Sequence, residues 1–207
     1  GTPSPKLWEK YIDFQTKKYN SKIVEINFRN KTYGYHSGTM MLRFENGKKY
    51  TGSARVDYML KSFFSEIASR PSCYTCKFKQ LNRVSDYTVF DCWHMGELLK
   101  KKDDDRGYTN LLVHTDEGNK LLKEIAAAYE IFPVDAEKAI ALDGIMVRNS
   151  AIPHKDRASF YTDLDEHEIN GHIQKYIKVT YKDRILESIK GIAYKGGLME
   201  TLRKIKG

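Results

Sequence analysis

Cys73-Tyr74-Thr75-Cys76 is the segment of this sequence best suited to chemistry. Two thiols separated by two residues in a loop can reach one metal centre, which is why the spacing recurs in zinc and iron–sulfur sites. Arg70, Lys77, Lys79 and Arg83 surround the pair, with no acid between Arg70 and Arg83. Positive charge there favours thiolate over thiol and offsets the charge of a thiolate-bound centre. If the strand holding Cys92 runs one residue further, Cys92 and His94 share a face. Together with Cys73 and Cys76 they make a three-cysteine, one-histidine set suited to tetrahedral zinc. A [4Fe–4S] cubane usually takes four cysteines, and the chain has three. Two plainer readings stay open: a pair of ordinary half-buried thiols, or a redox dithiol. The redox dithiol calls for a helix N-terminus after the pair, and Lys77-Phe78-Lys79 gives no such start.

Other candidates are weaker. Asp103-Asp104-Asp105 lies in a Lys-rich loop without the glycine and glutamate spacing of a calcium loop, and reads as solvated. His154 follows Pro153 without a partner signal. No dinucleotide-binding glycine pattern, phosphate loop or serine nucleophile elbow is present.

The elements that must position these residues follow from periodicity. Ser4 and Pro5 open a helix whose apolar face is Leu7, Trp8, Tyr11 and Ile12. Val24, Ile26 and Phe28 alternate with polar residues as a half-buried strand, and Met40, Leu42 and Phe44 repeat the pattern. Asn46-Gly47 then predicts a tight hairpin with both turn residues at positive φ. Leu60, Phe63, Phe64 and Ile67 predict a helix over Asp57 to Ala68, stopped by Pro71. Ser85 to Trp93 reads as a strand, Glu97 to Gly107 as a charged loop, and Asn110 to His114 as a buried apolar strand. Thr115 caps a helix bearing Leu121, Leu122, Ile125, Ala128 and Tyr129. Short helices follow Pro133: Asp135 to Leu142, Lys155 to Leu164, Glu166 to Tyr176, and a basic amphipathic one from Tyr181, broken at Gly196-Gly197. The fold class is α+β: a mixed sheet with a β-hairpin and flanking helices, then a helical C-terminal appendage. The expected division is 1–132 and a helical basic tail, 133–207. The expected core is Val24, Ile26, Phe28, Leu42, Phe44, Leu60, Phe63, Phe64, Leu111, Leu112, Leu121, Leu122 and Ile125.

Composition agrees with a globular chain. Its 207 residues are 41% hydrophobic and 30% charged, enough for a core in one domain or two small ones. Mean hydropathy is −0.60, and no apolar run approaches the ~18 residues of a membrane span. No secretory signal pattern opens the chain. It starts Gly1-Thr2-Pro3 without an initiator Met, as a piece of a longer protein would. Three cysteines favour a reducing, cytoplasmic compartment. Net charge is +8, and residues 175–207 hold nine Lys/Arg against three Asp/Glu. That basic run reads first as a solvated helix face.

Several motifs together resemble one family. Thr2-Pro3-Ser4-Pro5-Lys6-Leu7-Trp8 is similar to a Val-Pro-Ser-Pro-x-x-Trp opening that follows a Cys-His-Gly in these proteins. Phe28-Arg29-Asn30-Lys31 with Gly34 is similar to its Phe-Arg-x-Lys-x-x-Gly. Arg70 through Lys79, continuing to Arg83, Ser85 and Asp86, is the most specific match. Asp91-x-Trp93, the stretch Asp103 to Gly107 and the strand Leu111 to Thr115 fit as well. The chain thus resembles the C-terminal region of the coenzyme F420 hydrogenase/dehydrogenase beta subunit, whose bacterial branch often sits in polysaccharide-biosynthesis loci. The resemblance covers roughly residues 1–130.

The resemblance implies an oxidoreductase that transfers electrons between FAD, [4Fe–4S] clusters and a deazaflavin or another acceptor. It makes Cys73 and Cys76 metal ligands, and places Arg70, Lys77, Arg83, Asp86 and Trp93 at the cofactor. It implies a missing N-terminal half with a ferredoxin-like segment, including the cysteine of Cys-His-Gly. Cys92 stands where the family has Phe, and His94 where it has Gly. The expected partners are a redox protein or deazaflavin-type carrier, with no membrane span and no nucleic acid. The fragment alone is expected to be inactive and can lack both cofactors. The alternatives are a non-catalytic zinc-stabilised binding domain using Cys73, Cys76, Cys92 and His94, and a metal-free basic module that binds RNA or a partner.

Overall fold

A computed structural model describes residues 2–198. In chain order its elements are α1 (Pro5–Tyr19), β1 (Ile23–Asn30), β2 (Thr39–Phe44), β3 (Lys49–Ser53), α2 (Tyr58–Phe64), β4 (Tyr87–Cys92), α3 (Met95–Leu99), β5 (Tyr108–Val113), α4 (Asp116–Ile125), α5 (Ala136–Asp143), α6 (Ile145–Arg148), α7 (Arg157–Thr162), α8 (Ile169–Tyr176) and α9 (Tyr181–Lys195). The architecture is α+β with small antiparallel sheets and C-terminal helices. The chain forms two compact units. One runs to Tyr74 and resumes at Ile152, and the other is Thr75–Ala151. The part of the basic tail at residues 199–207 lies outside the described residues.

The first unit is built on the antiparallel sheet β1-β2-β3. Its central strand is buried on both faces: Thr39, Met40, Met41, Leu42 and Phe44 are all covered. Leu7 and Tyr11 of α1, Met59 and Leu60 of α2, and Ile67 join the same cluster. So do Phe160, Leu164, Ile169 and Ile173, so helices after residue 152 complete the core begun by the first seventy residues.

Several local expectations are corrected. Val24 and Ile26 are exposed, because two register shifts in β1 break its alternation and put Ile23 and Phe28 on the covered side instead. The hairpin has a three-residue loop closed between Phe44 and Lys48, and only Gly47 takes positive φ, at 79°. That is a type I turn followed by a left-handed glycine, which needs no positive φ at Asn46. α2 stops at Phe64 rather than Ala68 because Glu66 turns left-handed at φ 59°. Phe64 is therefore exposed, while Ile67 is still buried. Leu111, Leu121 and Ile125 are also exposed. Phe28, Phe63, Leu112 and Leu122 are half-buried, and Leu42, Phe44 and Leu60 are fully buried.

Asp57 is the polar centre of this unit. It is fully buried and caps α2, accepting the Leu60 N–H at 2.8 Å. Its other oxygen accepts the Tyr11 hydroxyl at 2.6 Å and the Tyr50 hydroxyl at 2.9 Å. A Cβ at Gly52 would overlap the Tyr50 hydroxyl, so that glycine keeps the contact open. Burial pushes the Asp57 carboxyl from 3.8 up to about 6, against the lowering effect of its three donors. The folded value exceeds the unfolded one, so the fold gains most where Asp57 is neutral in both states. The contribution of Asp57 to stability should therefore fall as pH rises from about 4 through about 6, by on the order of 1–3 kcal/mol, and then level off. Asp183 is held down at about 2 by the Thr180 N–H, so its opposite contribution is lost only below that window, whereas His172, pushed below 6.5 by burial, adds stability as pH rises within it. Urea midpoints across about pH 4–7 check this. The stability of the wild type relative to Asp57→Asn should fall as pH rises from about 4 through about 6, and a difference that does not change with pH would refute the assignment.

Candidate functional site

The thiol loop begins as a continuation of the first unit. Ser4 N–H donates to the Ala68 carbonyl (3.1 Å) and Arg70 N–H to the Thr2 carbonyl (2.9 Å), so the chain start runs antiparallel to residues 68–70. Pro71–Cys73 is a single 3-10 turn, closed by Tyr74 N–H to the Pro71 carbonyl. Thr2 N–H then donates to Cys73 Sγ at 3.2 Å. Tyr74 fixes the turn from beneath: its hydroxyl donates to the Glu66 carbonyl at 2.6 Å, and the Arg157 guanidinium lies 5.3 Å from its ring centre.

The boundary between the units falls after Tyr74, so Cys76 belongs to the second unit. There Cys76 N–H donates to the Ser150 hydroxyl at 3.2 Å, and Lys79 Nζ to the Met146 carbonyl at 2.5 Å. Cys73 and Cys76 are both free, half-buried thiols. Among the described residues no group of three or more His, Cys, Asp or Glu is placed to hold a metal ion.

The proposed zinc set is therefore not assembled among these residues. β4 ends at Cys92, so the alternation that would align His94 with it stops two residues short of His94. Cys92 is buried, and its thiol is pushed up by burial and then by the charge of Asp143, which keeps it protonated. His94 turns outward instead. Its Nδ1 meets Asp143 Oδ1 at 2.6 Å, and its backbone N–H donates to Oδ2 at 3.1 Å. The Asp143 side chain is wholly buried while that of His94 is half exposed. With Nδ1 on the buried carboxylate, Nε2 is the ring nitrogen left for other contacts. The pairing spans 49 positions, and nothing in sequence spacing signals it.

The other residues assigned to the cofactor have local tasks. Arg70 Nε donates to the Pro3 carbonyl at 3.4 Å, and Lys77 is exposed. Arg83 Nε donates to the Gln80 carbonyl (2.9 Å), and its guanidinium reaches the Val147 carbonyl (3.4 Å). The Asp86 carboxylate accepts the Thr115 hydroxyl, and its carbonyl accepts the His114 N–H. Thr115 in turn caps α4 through the Gly118 N–H at 3.0 Å. Trp93 is half-buried.

The second unit also contains an apolar cleft of about 720 Å³. Leu111 of β5, Leu122 and Ile125 of α4, and Ile131, Phe132 and Val134 beyond it form its walls, with Cys92 and Asn110 on the sheet side. This is why Leu111 and Ile125, which periodicity assigned to a core, are exposed; Leu121 is exposed outside the cleft. A two-stranded sheet offers too little area to cover both. None of Arg70, Lys77, Arg83, Asp86 and Trp93 lines the cleft.

A Cys-x-x-Cys segment among basic residues in the sequence, and an α+β unit with an apolar cleft of small-molecule size, are the features from which a candidate site can be built. The chain belongs to the family defined by the C terminus of the coenzyme F420 hydrogenase/dehydrogenase beta subunit; the family model matches residues 1–137. No curated protein and no solved structure matches it.

Gly144 holds the His94–Asp143 pair in place. A Cβ there would lie 2.7 Å from the Ile140 Cα and 3.0 Å from the Phe90 ring. Gly144→Ala should cost about 1–3 kcal/mol by overpacking. It should also loosen the end of α5, so that the His94 ring signals in NMR move toward those of His94 in Asp143→Asn. Unchanged stability and unchanged ring signals would show that the close approach does not position the pair.

Proposed function

We propose that this chain is the electron-transferring C-terminal part of an iron–sulfur flavoprotein, with Cys73 and Cys76 as two ligands of a [4Fe–4S] cluster. The observation that carries the reading is the loop itself. Two accessible thiols flank a fixed tyrosine, in basic surroundings, and one sulfur already accepts a backbone N–H. Such N–H···S bonds stabilise a reduced, more negative cluster and set its potential. These residues fit half of the group: the loop offers two of the four cysteines such a cluster takes, and Cys92 is buried. The other ligands come from outside the described residues.

The cleft of the second unit fits a flavin ring in size and in its apolar, partly aromatic lining. When bound, cluster and flavin supply one-electron and two-electron chemistry. The chain's own residues offer the flavin an apolar lining, and the Thr2 N–H and the Ser150 hydroxyl hold Cys73 and Cys76 from their own units. The acceptor in this reading is a deazaflavin-type carrier or a redox protein. The zinc-stabilised reading is the second one, and metal analysis separates them: iron with sulfide for the first, stoichiometric zinc for the second.

In the complete redox protein, prepared without oxygen, Cys73→Ser or Cys76→Ser exchanges a soft thiolate for a poor oxygen ligand. Iron, acid-labile sulfide and cluster absorbance should fall sharply in either variant, while circular dichroism stays unchanged. Cys92→Ser should keep its iron and cost on the order of 1 kcal/mol in stability. Equal loss of iron in all three would make Cys92 a ligand, and no loss in any would make the loop structural. Ile125→Asp puts a charge in the cleft wall and should weaken flavin binding about tenfold or more by fluorescence titration. Unchanged flavin affinity would remove the cleft from the proposal.

A further inference from the structure

Helix α9 has two unlike faces. Asp183, Leu186, Glu187 and Ala193 turn toward the rest of their own unit. Both acids of the helix are engaged there. Asp183 forms a capping box with Thr180 and approaches Arg55 (3.4 Å) and Lys61 (3.3 Å). Glu187 accepts the Ser53 N–H at 2.8 Å and the Ser53 hydroxyl at 2.6 Å.

The opposite face is apolar and cationic. Tyr181, Ile185, Ile189 and Ile192 are exposed by 79%, 42%, 43% and 70%. At 3.6 residues per turn these positions fall within an arc of about 80°. Exposed Lys182 flanks the stripe on one side, and exposed Arg184 and Lys195 flank it on the other. No acid lies on this face. Beside the stripe is an open depression of about 430 Å³, lined by Tyr33, Arg184, Ser188, Ile192 and Lys195 among others. Glu187 also lines it, but its carboxylate is held by Ser53.

We propose that α9 lies in the surface of an anionic lipid bilayer, with the isoleucine stripe among the acyl chains and a lipid phosphate in the depression on Arg184 and Lys195. Charge complementarity selects the occupant. Cations border a narrow aliphatic stripe on both sides, as in helices that lie in the plane of a membrane interface. Such a surface asks for negative charge and apolar depth. It does not ask for the hydrogen-bonding detail that a protein groove would, and the stripe offers only the Tyr181 hydroxyl, at its end. Four partly exposed side chains give reversible attachment only, and no described helix is long and apolar enough to cross a membrane.

Co-sedimentation of the chain with phospholipid vesicles tests this. At about 0.1 M salt it should sediment with phosphatidylcholine vesicles containing about 30% phosphatidylglycerol and stay in solution with phosphatidylcholine alone. Arg184→Gln with Lys195→Gln should weaken binding about tenfold or more. Ile185→Asn with Ile189→Asn should do the same, with helicity checked by circular dichroism. Tyr181→Ser, at the most exposed position of the stripe, carries the same direction of effect if a double variant loses helicity. Three results would overturn the proposal: no sedimentation with the anionic vesicles, binding that survives the isoleucine substitutions, or release by millimolar inorganic phosphate. Tighter binding of wild type to polyglutamate than to the vesicles would assign the face to an acidic protein instead.

Discussion

A buried carboxylate holds the first unit together. Asp57 accepts from Tyr11 of α1, from Tyr50 of β3 and from the first turn of α2. Three elements distant in sequence thus converge on one acid that has no exposure to water. Burial of such a group is costly unless each oxygen is satisfied, and here both are. The thiol loop depends on this node at one remove. α2 leads into Ile67, Ala68 and Ser69, all fully buried, and the chain start pairs with that segment before reaching Cys73. The position of the first thiol is therefore set by the core, while its own turn contributes no buried side chain.

The second unit is organised around an absence of cover. Its two strands and α4 are amphipathic, yet their apolar sides meet across an open cleft. Large exposed apolar surface on a small unit marks a place where something else binds. The His94–Asp143 pair ties the end of β4 to the end of α5, two elements that also wall the cleft through Cys92 and Ala139.

Charge is distributed with the same directionality. α9 turns its two acids to the body of its own unit and leaves Lys182, Arg184 and Lys195 outside. The basic run over α9 is thus no uniform solvated face. It borders an apolar stripe, and the two together define a surface with direction.

Much was legible from residues alone. Turn and cap chemistry is local, so Pro5, Gly47, Asp57 at α2, Thr115 and Gly196 could be read as boundaries from their own backbone preferences. The family was legible too, because Arg70 through Asp86 is a contiguous motif. Burial was only partly legible. Alternation marked Val24 and Ile26 as inward, but shifts in register are decided by the partner strand, which reset the face. The apolar faces of β5 and α4 were correctly apolar, yet periodicity reports that a face avoids water and not whether its cover is core or cleft. Contacts such as Asp57 with Tyr11, His94 with Asp143 and Glu187 with Ser53 span 46 to 134 residues. No spacing rule reaches that far, and only the packed chain brings those groups within hydrogen-bonding distance.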